Sequence, residues 1–427
     1  MRLASVLGFL TSLNVLLTFL YQWYVLITLG PGVETDALFA GMVIPQIVLA
    51  VVSGSLVNVL TPLLAAEADE RFTREAWNFF HGLVFLFSGI ALVLALTASV
   101  WVPWTVPGFD APSRLLTVSL ARIQILGMIF TAVAAALVST YHARSWFIWA
   151  SLSPVLAAVL ALVFVLWGLP RFGVKAAAWG MVLRGVMMSI CLMPGLGPYH
   201  KPSLVAGSFR KAWSRLRPLL LGTTYYKTDQ LVDRFLASMA PPGTISLLNL
   251  ATQIYGAGNQ VIHAAIAAPM VPPLARKAHK GEWESFYALT RKRLFWGTTV
   301  SCFGFVCLLV FGQYLMTILF AHGRFGSDEI PKLWWISVAL VGVLIGGVMG
   351  QVLSTSFYAK GDTRSPTKIG VIGFTVGVFL KAAGFYLWGI IGIAIGTTLY
   401  YLLNAFWLRQ ALSRELHRLI GTTEQVK

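Results

Sequence analysis

The sequence predicts an all-α membrane protein: about twelve transmembrane helices in two pseudo-symmetric six-helix lobes around a central cavity. Three observations carry that reading. Twelve apolar stretches each approach the roughly 20 residues that a helix needs to cross a bilayer. The composition is 57% hydrophobic and only 11% charged, with a mean hydropathy of +0.75, which sets aside a soluble globular chain. The two groups of six stretches also match each other at constant offsets. At 216, Leu137, Ala143, Arg144, Ala178 and Gly180 fall on Leu353, Ala359, Lys360, Ala394 and Gly396. At 211, Gly32, Ala40, Pro62 and Leu63 fall on Gly243, Ala251, Pro273 and Leu274. An even number of spans per half gives both halves the same orientation, with the repeat axis along the membrane normal. Duplicated bundles of this kind build transporters with a central alternating-access site.

The first lobe, residues 1–200, opens with a span at 4–29. Only Met1 and Arg2 stand clear ahead of its apolar run and no small-x-small cleavage pattern ends it, so it reads as an uncleaved helix. The second span, 37–64, follows Thr35-Asp36, a natural N-cap pair, and carries Pro45, which bends a helix. The third, 78–104, ends in Trp101 and Trp104, interfacial anchors. The fourth, 114–140, holds Arg122; the fifth, 146–168, holds Pro154; the sixth, 174–194, holds Arg184. Residues 201–215 form a cytoplasmic linker within the longest loop.

The second lobe, 216–427, repeats the pattern and ends in a short cytoplasmic tail. The seventh span, 216–240, is dense in charge, with Lys227, Asp229, Asp233 and Arg234 ahead of Pro241-Pro242. The eighth, 244–274, carries Asn249, Thr252, Gln253, Asn259 and His263, a polar set able to line a cavity, and Pro269. The ninth is 294–320. The tenth, 332–358, begins at Trp334-Trp335 and contains Gly342, Gly346 and Gly350. The eleventh, 367–386, contains Gly373, Gly377 and Lys381; the twelfth, 390–411, contains Gly392 and Gly396. Glycines spaced by four let helix backbones approach in lipid, where no hydrophobic drive operates between helices.

Charge inside a span is costly unless paired or wetted. Arg122, Arg184, Lys227, Asp229, Asp233, Arg234 and Lys381 are therefore candidates to face a cavity or one another. Their balance is positive, which suits an anionic substrate better than a cationic drug. The net charge of +16 follows the positive-inside rule: most of the 32 lysines and arginines fall in loops that are cytoplasmic when both termini are inside. The clusters at 201–217 and 276–293 suit anionic lipid headgroups, and nucleic acid is not indicated. Cys191, Cys302 and Cys307 lie in apolar spans with no histidine or cysteine partner set, which predicts neither disulfide nor metal site. No G-x-x-x-x-G-K-[ST] loop is present, and the outer loops are too short for a catalytic domain. No cofactor and no enzymatic reaction are expected.

Four local patterns together resemble one family. Residues 30–45, GPGVETDALFAGMVIP, are similar to the G-x-G-x-x-T-D-A-F-x-x-A-x-x-x-P of the MurJ/MviN family of lipid II flippases. ILFAHGRF at 318–325 resembles its L-F-x-x-G-x-F loop. FYAKGDTRSPTKI at 357–369, with Asp362, Thr363, Arg364 and Pro366, resembles F-Y-A-x-x-D-T-[RK]-T-P-x-K-I, and PMVPPLAR at 269–276 resembles the exit of its eighth helix. The resemblance implies the multidrug/oligosaccharidyl-lipid/polysaccharide exporter fold. It also implies movement of an undecaprenyl-pyrophosphate-linked sugar from the inner to the outer leaflet of the bacterial cytoplasmic membrane, with envelope-synthesis proteins as partners. It assigns importance to Asp36, the aspartate of T-D-A. Related transporters hold sodium or protons at carboxylates near the seventh helix; here Lys381 is expected to neutralise Asp229 or Asp233 instead.

The chain departs from the family pattern at defined places. Tyr21-Gln22 replace an Arg-Asp pair, Gln46-Ile47-Val48-Leu49-Ala50 replace N-L-L-R-R, and Ala251-Thr252-Gln253 replace A-D-R. Arg122 and Arg184 are then expected to meet the pyrophosphate, with Gln253 and Asn259 in the same cavity. Fourteen spans are usual where twelve are read here. Two other functions fit the same fold: a small-molecule antiporter, or a non-transporting scaffold of envelope synthesis.

Overall fold

The computed structural model of the protein describes residues 2–201, 212–214, 224–225 and 227–425. The expected linker therefore lies largely outside the described residues, as does the opening of the seventh span. Among the described residues the chain is helical and forms two compact units: Met1–Ser246 with Gly323–Phe325, and Leu247–His322 with Gly326–Lys427.

In the first unit, α1 (Arg2–Leu29) ends at Gly30-Pro31-Gly32, and α2 (Val33–Gly41) and α3 (Val43–Ala65) follow with a break at Met42. Pro45 falls in the first turn of α3, where its missing N–H costs no hydrogen bond. Next come α4 (Asp69–Leu96) and α5 (Ala98–Thr105). α6 (Ala111–Ala143) is capped by Asp110, whose carboxylate accepts from Ser113 N at 3.1 Å. It packs against α2, α3, α4 and α8. α7 (Phe147–Phe172) and α8 (Val174–Leu192) form a hairpin that also holds α1. Two apolar clusters result, one joining α3, α4 and α6 around Leu60, Phe87 and Ile125, the other joining α1, α2, α7 and α8 around Val25, Leu38 and Val165. The short α9 (Asp229–Ala237), expected to open the second lobe, packs on α3 and α5 and so belongs to the first unit.

The second unit takes most of α10 (Thr244–Ile262), α11 (Val271–His279) and α12 (Trp283–Phe320). It continues with α13 (Glu329–Ala339), α14 (Val341–Ala359) and α15 (Arg364–Gln425). α14 packs between α12 and α15, over a core of Phe286, Leu353, Phe357, Leu408 and Leu412.

Nine helices among the described residues are long and apolar enough to cross a membrane, against twelve expected spans. Three differences account for the gap. The eleventh and twelfth spans run together as α15, kinked at Trp388-Gly389. The seventh lies partly outside the described residues. The eighth is broken, passing from α10 through a π turn at His263–Ala267 and a 3-10 turn at Ala268–Met270 into α11. Pro269, Pro272 and Pro273 withhold three N–H groups within five residues, which favours a break there over one continuous α-helix.

The repeat is visible in the backbone. Gly173, between α7 and α8, has φ 58° and ψ −150°; Gly389, 216 residues on, has φ 59° and ψ −135°. Arg144 and Lys360, matched at the same offset, are the C-caps of α6 and α14. Arg144 donates to Gly195 O at 3.1 Å and lies over Phe72; Lys360 pairs with Glu415 and lies over Phe357. The spaced glycines of the tenth span serve packing. A Cβ on Gly342 would stand 2.6 Å from Thr398 backbone and one on Gly346 2.8 Å from Tyr401 backbone, whereas Gly350 faces open space.

Candidate functional site

The first site grows from the Gly-Pro-Gly that stops α1. Thr35, in the first turn of α2, accepts from Gly32 N at 3.0 Å and donates to Gly30 O at 2.9 Å, closing that helix's own N-terminus. One residue further, Asp36 turns inward and is only 3% exposed. Its Oδ2 accepts from Gly243 N at 2.7 Å; its Oδ1 accepts from Ser246 N at 2.8 Å and Ser246 Oγ at 2.6 Å. Those N–H groups are the orphan donors of the first turn of α10. Asp36 is a cap, as its position suggested, but for a helix 207 residues away rather than for its own. The carboxyl faces the positive end of that helix's dipole, and Arg234, 6% exposed on α9, interacts with it electrostatically. Arg234 also acts on the neighbouring Asp233.

The segment 323–325 completes this end of the first unit. Arg324 N donates to Ile27 O at 2.7 Å, satisfying a carbonyl that the end of α1 leaves unpaired. Gly323 adopts φ 66° and backs directly onto Ile27 O, where a Cβ would collide. Two of the sequence patterns, the glycine-rich opening and the loop ending in Phe325, are thus parts of one knot.

The second site is a cavity of about 370 Å³ inside the first unit, walled by α1, α3, α6, α7 and α8. Thr18, Tyr21, Gln22, Gln46, Gln124, Thr131 and Arg184 supply its polar surface. Arg184 is the one charged group among its described lining residues, and its Nη2 donates to Asn14 Oδ1 at 3.1 Å. A guanidinium carries five N–H donors, so this bond leaves most of its hydrogen-bonding capacity for the cavity. Gln124 donates to Leu38 O at 2.9 Å while its buried Oε1 has no protein partner. Tyr21 donates to Ala177 O at 2.5 Å. Three positions where the family pattern carries other residues, Tyr21, Gln22 and Gln46, therefore meet Arg184 in one cavity.

Arg122 does not join it. The cavity face of α6 is Gln124, Gly127, Met128 and Thr131, and Arg122, two residues before Gln124, is turned about 200° away. It is exposed and donates to Ala95 O at 3.2 Å. Of the two arginines expected to share a site, only Arg184 lines this cavity. The seventh-span charges also separate: Lys227 is exposed, Asp229 and Asp233 are half-buried, and Arg234 is buried. In the second unit, Lys381 is 0% exposed, with Nζ 6.0 Å from the Tyr400 ring centroid. Gln253 is half-buried, and Asn259 donates to Val343 O at 2.9 Å, fastening α10 to α14.

The 357–369 pattern is a helix–turn–helix. Gly361 at φ 85° ends α14, and Asp362 N donates to Phe357 O at 3.0 Å. Asp362 Oδ1 accepts from Arg364 N at 2.9 Å and Ser365 N at 3.0 Å, capping α15. Burial raises its pKa, but Ser365 and these two amides outweigh it and hold the carboxyl below the usual aspartate range. Thr363 and Arg364 are exposed and Pro366 is buried. Sequence reasoning missed Gly243, Ser246 and Asn14 as partners. Pro241-Pro242-Gly243-Thr244 signals a helix start, but nothing local links it to Asp36.

Comparison with known proteins gives a consistent picture. The family model described as lipid II flippase MurJ matches residues 26–426. A probable lipid II flippase MurJ of Bdellovibrio bacteriovorus is 23% identical over 408 residues, covering 89% of this chain and 76% of the relative. The lipid II flippase MurJ of Burkholderia cenocepacia is 22% identical over 366 residues, covering 80% and 70%. Among solved structures, lipid II flippase MurJ in an inward closed conformation superposes with a TM-score of 0.84 at 16% identity, covering 98% of this chain and 90% of the other. An inward-facing multidrug resistance MATE family transporter gives 0.80 at 15% identity, covering 96% of each chain.

Proposed function

Because the chain belongs to the lipid II flippase MurJ family, we propose that it moves lipid II, or a related undecaprenyl-pyrophosphate oligosaccharide, from the inner to the outer leaflet of the bacterial cytoplasmic membrane. The product feeds peptidoglycan or envelope polysaccharide synthesis. The charge asymmetry of the loops supports both termini in the cytoplasm.

The observation that carries this reading is Arg184 in its polar cavity. A diphosphate headgroup cannot pass through hydrocarbon unaided. A guanidinium offers it paired donors in a fixed fork, and the glutamines, threonines and Tyr21 around it hydrogen-bond hydrated sugar or phosphate without adding charge. No carboxylate is among the described lining residues, which suits an anion and not a cationic drug. Arg184 takes the place of the family's usual arginines, so one contact does work that several share elsewhere.

The test is complementation of a strain depleted of its own lipid II flippase. Wild-type chain is expected to restore growth and cell shape. R184Q is expected to lower the flipping rate roughly a hundredfold, the effect of losing a charge-assisted bidentate contact of about 3 kcal/mol, at unchanged protein level. R122Q is expected to flip at close to the wild-type rate. A wild-type chain that fails to complement, or R184Q that flips normally, overturns the assignment.

A further inference from the structure

The second unit carries a groove that the flipping site does not use. It has a volume of about 780 Å³ and lies between the first turns of α12 and the last third of α15, with α14 behind it. Its lining joins three cations, Arg291, Lys292 and Arg409, to the apolar Leu294, Phe295 and Met349. Among the described residues none of the three cations has an ion-pair or hydrogen-bond partner, and no carboxylate lines the groove. Three like charges converging from two helices repel one another, and a lipid or aqueous counter-ion relieves that cost.

The geometry points to an anionic phospholipid as the occupant, its phosphate held by Arg291, Lys292 and Arg409 and its acyl chains lying along the apolar lining. The mixed lining matches the two parts of such a molecule. Phe295 lies one turn past Arg291 and Lys292 on α12, and Phe406 one turn before Arg409 on α15. Both are largely exposed, at 66% and 56%, and Phe303 continues the α12 surface at 70%. An aqueous phosphate has no use for that surface, whereas acyl chains do. Basic pockets between transmembrane helices bind lipid headgroups by this combination of charge and adjoining apolar face. The assignment stands independently of whether the chain flips lipid II.

The experiment is native mass spectrometry of the full-length chain titrated in detergent with phosphatidylglycerol or phosphatidylcholine. Phosphatidylglycerol is expected to be retained in preference. R291Q/R409Q is expected to weaken it by about 30-fold, the effect of two arginines near a lipid phosphate, without changing phosphatidylcholine retention or melting temperature. R291K/R409K keeps most of the preference, and R276Q/K280Q, which removes the same charge from the end of α11 and the residue that caps it, keeps all of it. Wild-type retention by R291Q/R409Q overturns the site. Displacement by millimolar inorganic phosphate assigns the groove to an aqueous anion, and tighter retention of undecaprenyl diphosphate assigns it to the transported lipid; either result overturns the phospholipid.

Discussion

Asp36 shows how a single side chain can be legible in type and illegible in partner. Its place after Thr35 at a helix start suggests a cap, and the family pattern marks it as important. The contacts to Gly243 and Ser246 add the physical reason: two backbone N–H groups and a hydroxyl all donate to it. Asparagine keeps an oxygen for Ser246 but turns an NH2 toward Gly243 N–H, donor against donor. D36N is therefore expected to destabilise the purified protein by about 1–3 kcal/mol, lowering its thermal midpoint. S246A, which removes one donor and leaves two, is expected to cost less. If D36N melts with wild type while flipping is lost, the residue acts through charge alone and the cap is incidental. Arg184 and Arg122 make the complementary point. Both are arginines within apolar spans, and only the face of the helix on which each stands, set by neighbours remote in sequence, separates a cavity residue from a surface one.

At the scale of helices, the spaced glycines and the turn motifs can be tested in pairs. G346A places a Cβ 2.8 Å from the backbone of Tyr401, where backbone cannot yield, and is expected to cost about 1–3 kcal/mol by forcing α14 off α15. G350A meets open space and is expected to be near neutral, with the helix propensity of alanine in its favour. Equal melting of the two variants would remove the packing role. Asp362 gives a pH signature as well. Its folded pKa is depressed, so its contribution is complete above the unfolded value of about 3.9 and is lost as pH falls through the lower folded value. D362A is expected to lose about 1 kcal/mol as a missing cap at neutral pH, and the wild-type advantage over it is expected to shrink below about pH 4. A thermal-shift series from pH 7 to pH 3 reads this directly. Most helices were legible here because apolar length and glycine or proline stops are local signals. The break after α10 was not read, because a run of prolines in an apolar stretch resembles an ordinary kink until the lost hydrogen bonds are counted.

For the whole molecule, the fold was legible because composition and repetition are global properties that single substitutions do not erase. The site was less so: the family's charged positions are occupied by Tyr21, Gln22 and Leu49, and only the fold brings these beside Arg184. Lys381 bears on energetics at this scale. Lys381 is fully buried near Tyr400; the proposal that it serves as a built-in cation implies a bundle with less need to recruit a metal cation for its charge balance. Transport is expected to proceed equally in sodium and potassium buffers, measured as lipid flipping in proteoliposomes at matched ionic strength. Strong stimulation by sodium would defeat that expectation.

The matched joints at Gly173 and Gly389 bear on how the two halves are built. Each lies in a backbone region that is essentially glycine's alone, and neither is needed there to let another chain segment approach. A shared demand of the chain path accounts for the match: in each half, two helices meet at a joint that only glycine's backbone can turn. The two halves are then expected to tolerate exchange at the side chains around these joints far better than at the joints themselves. What the halves have most clearly in common is kept where the chain has least chemistry to offer.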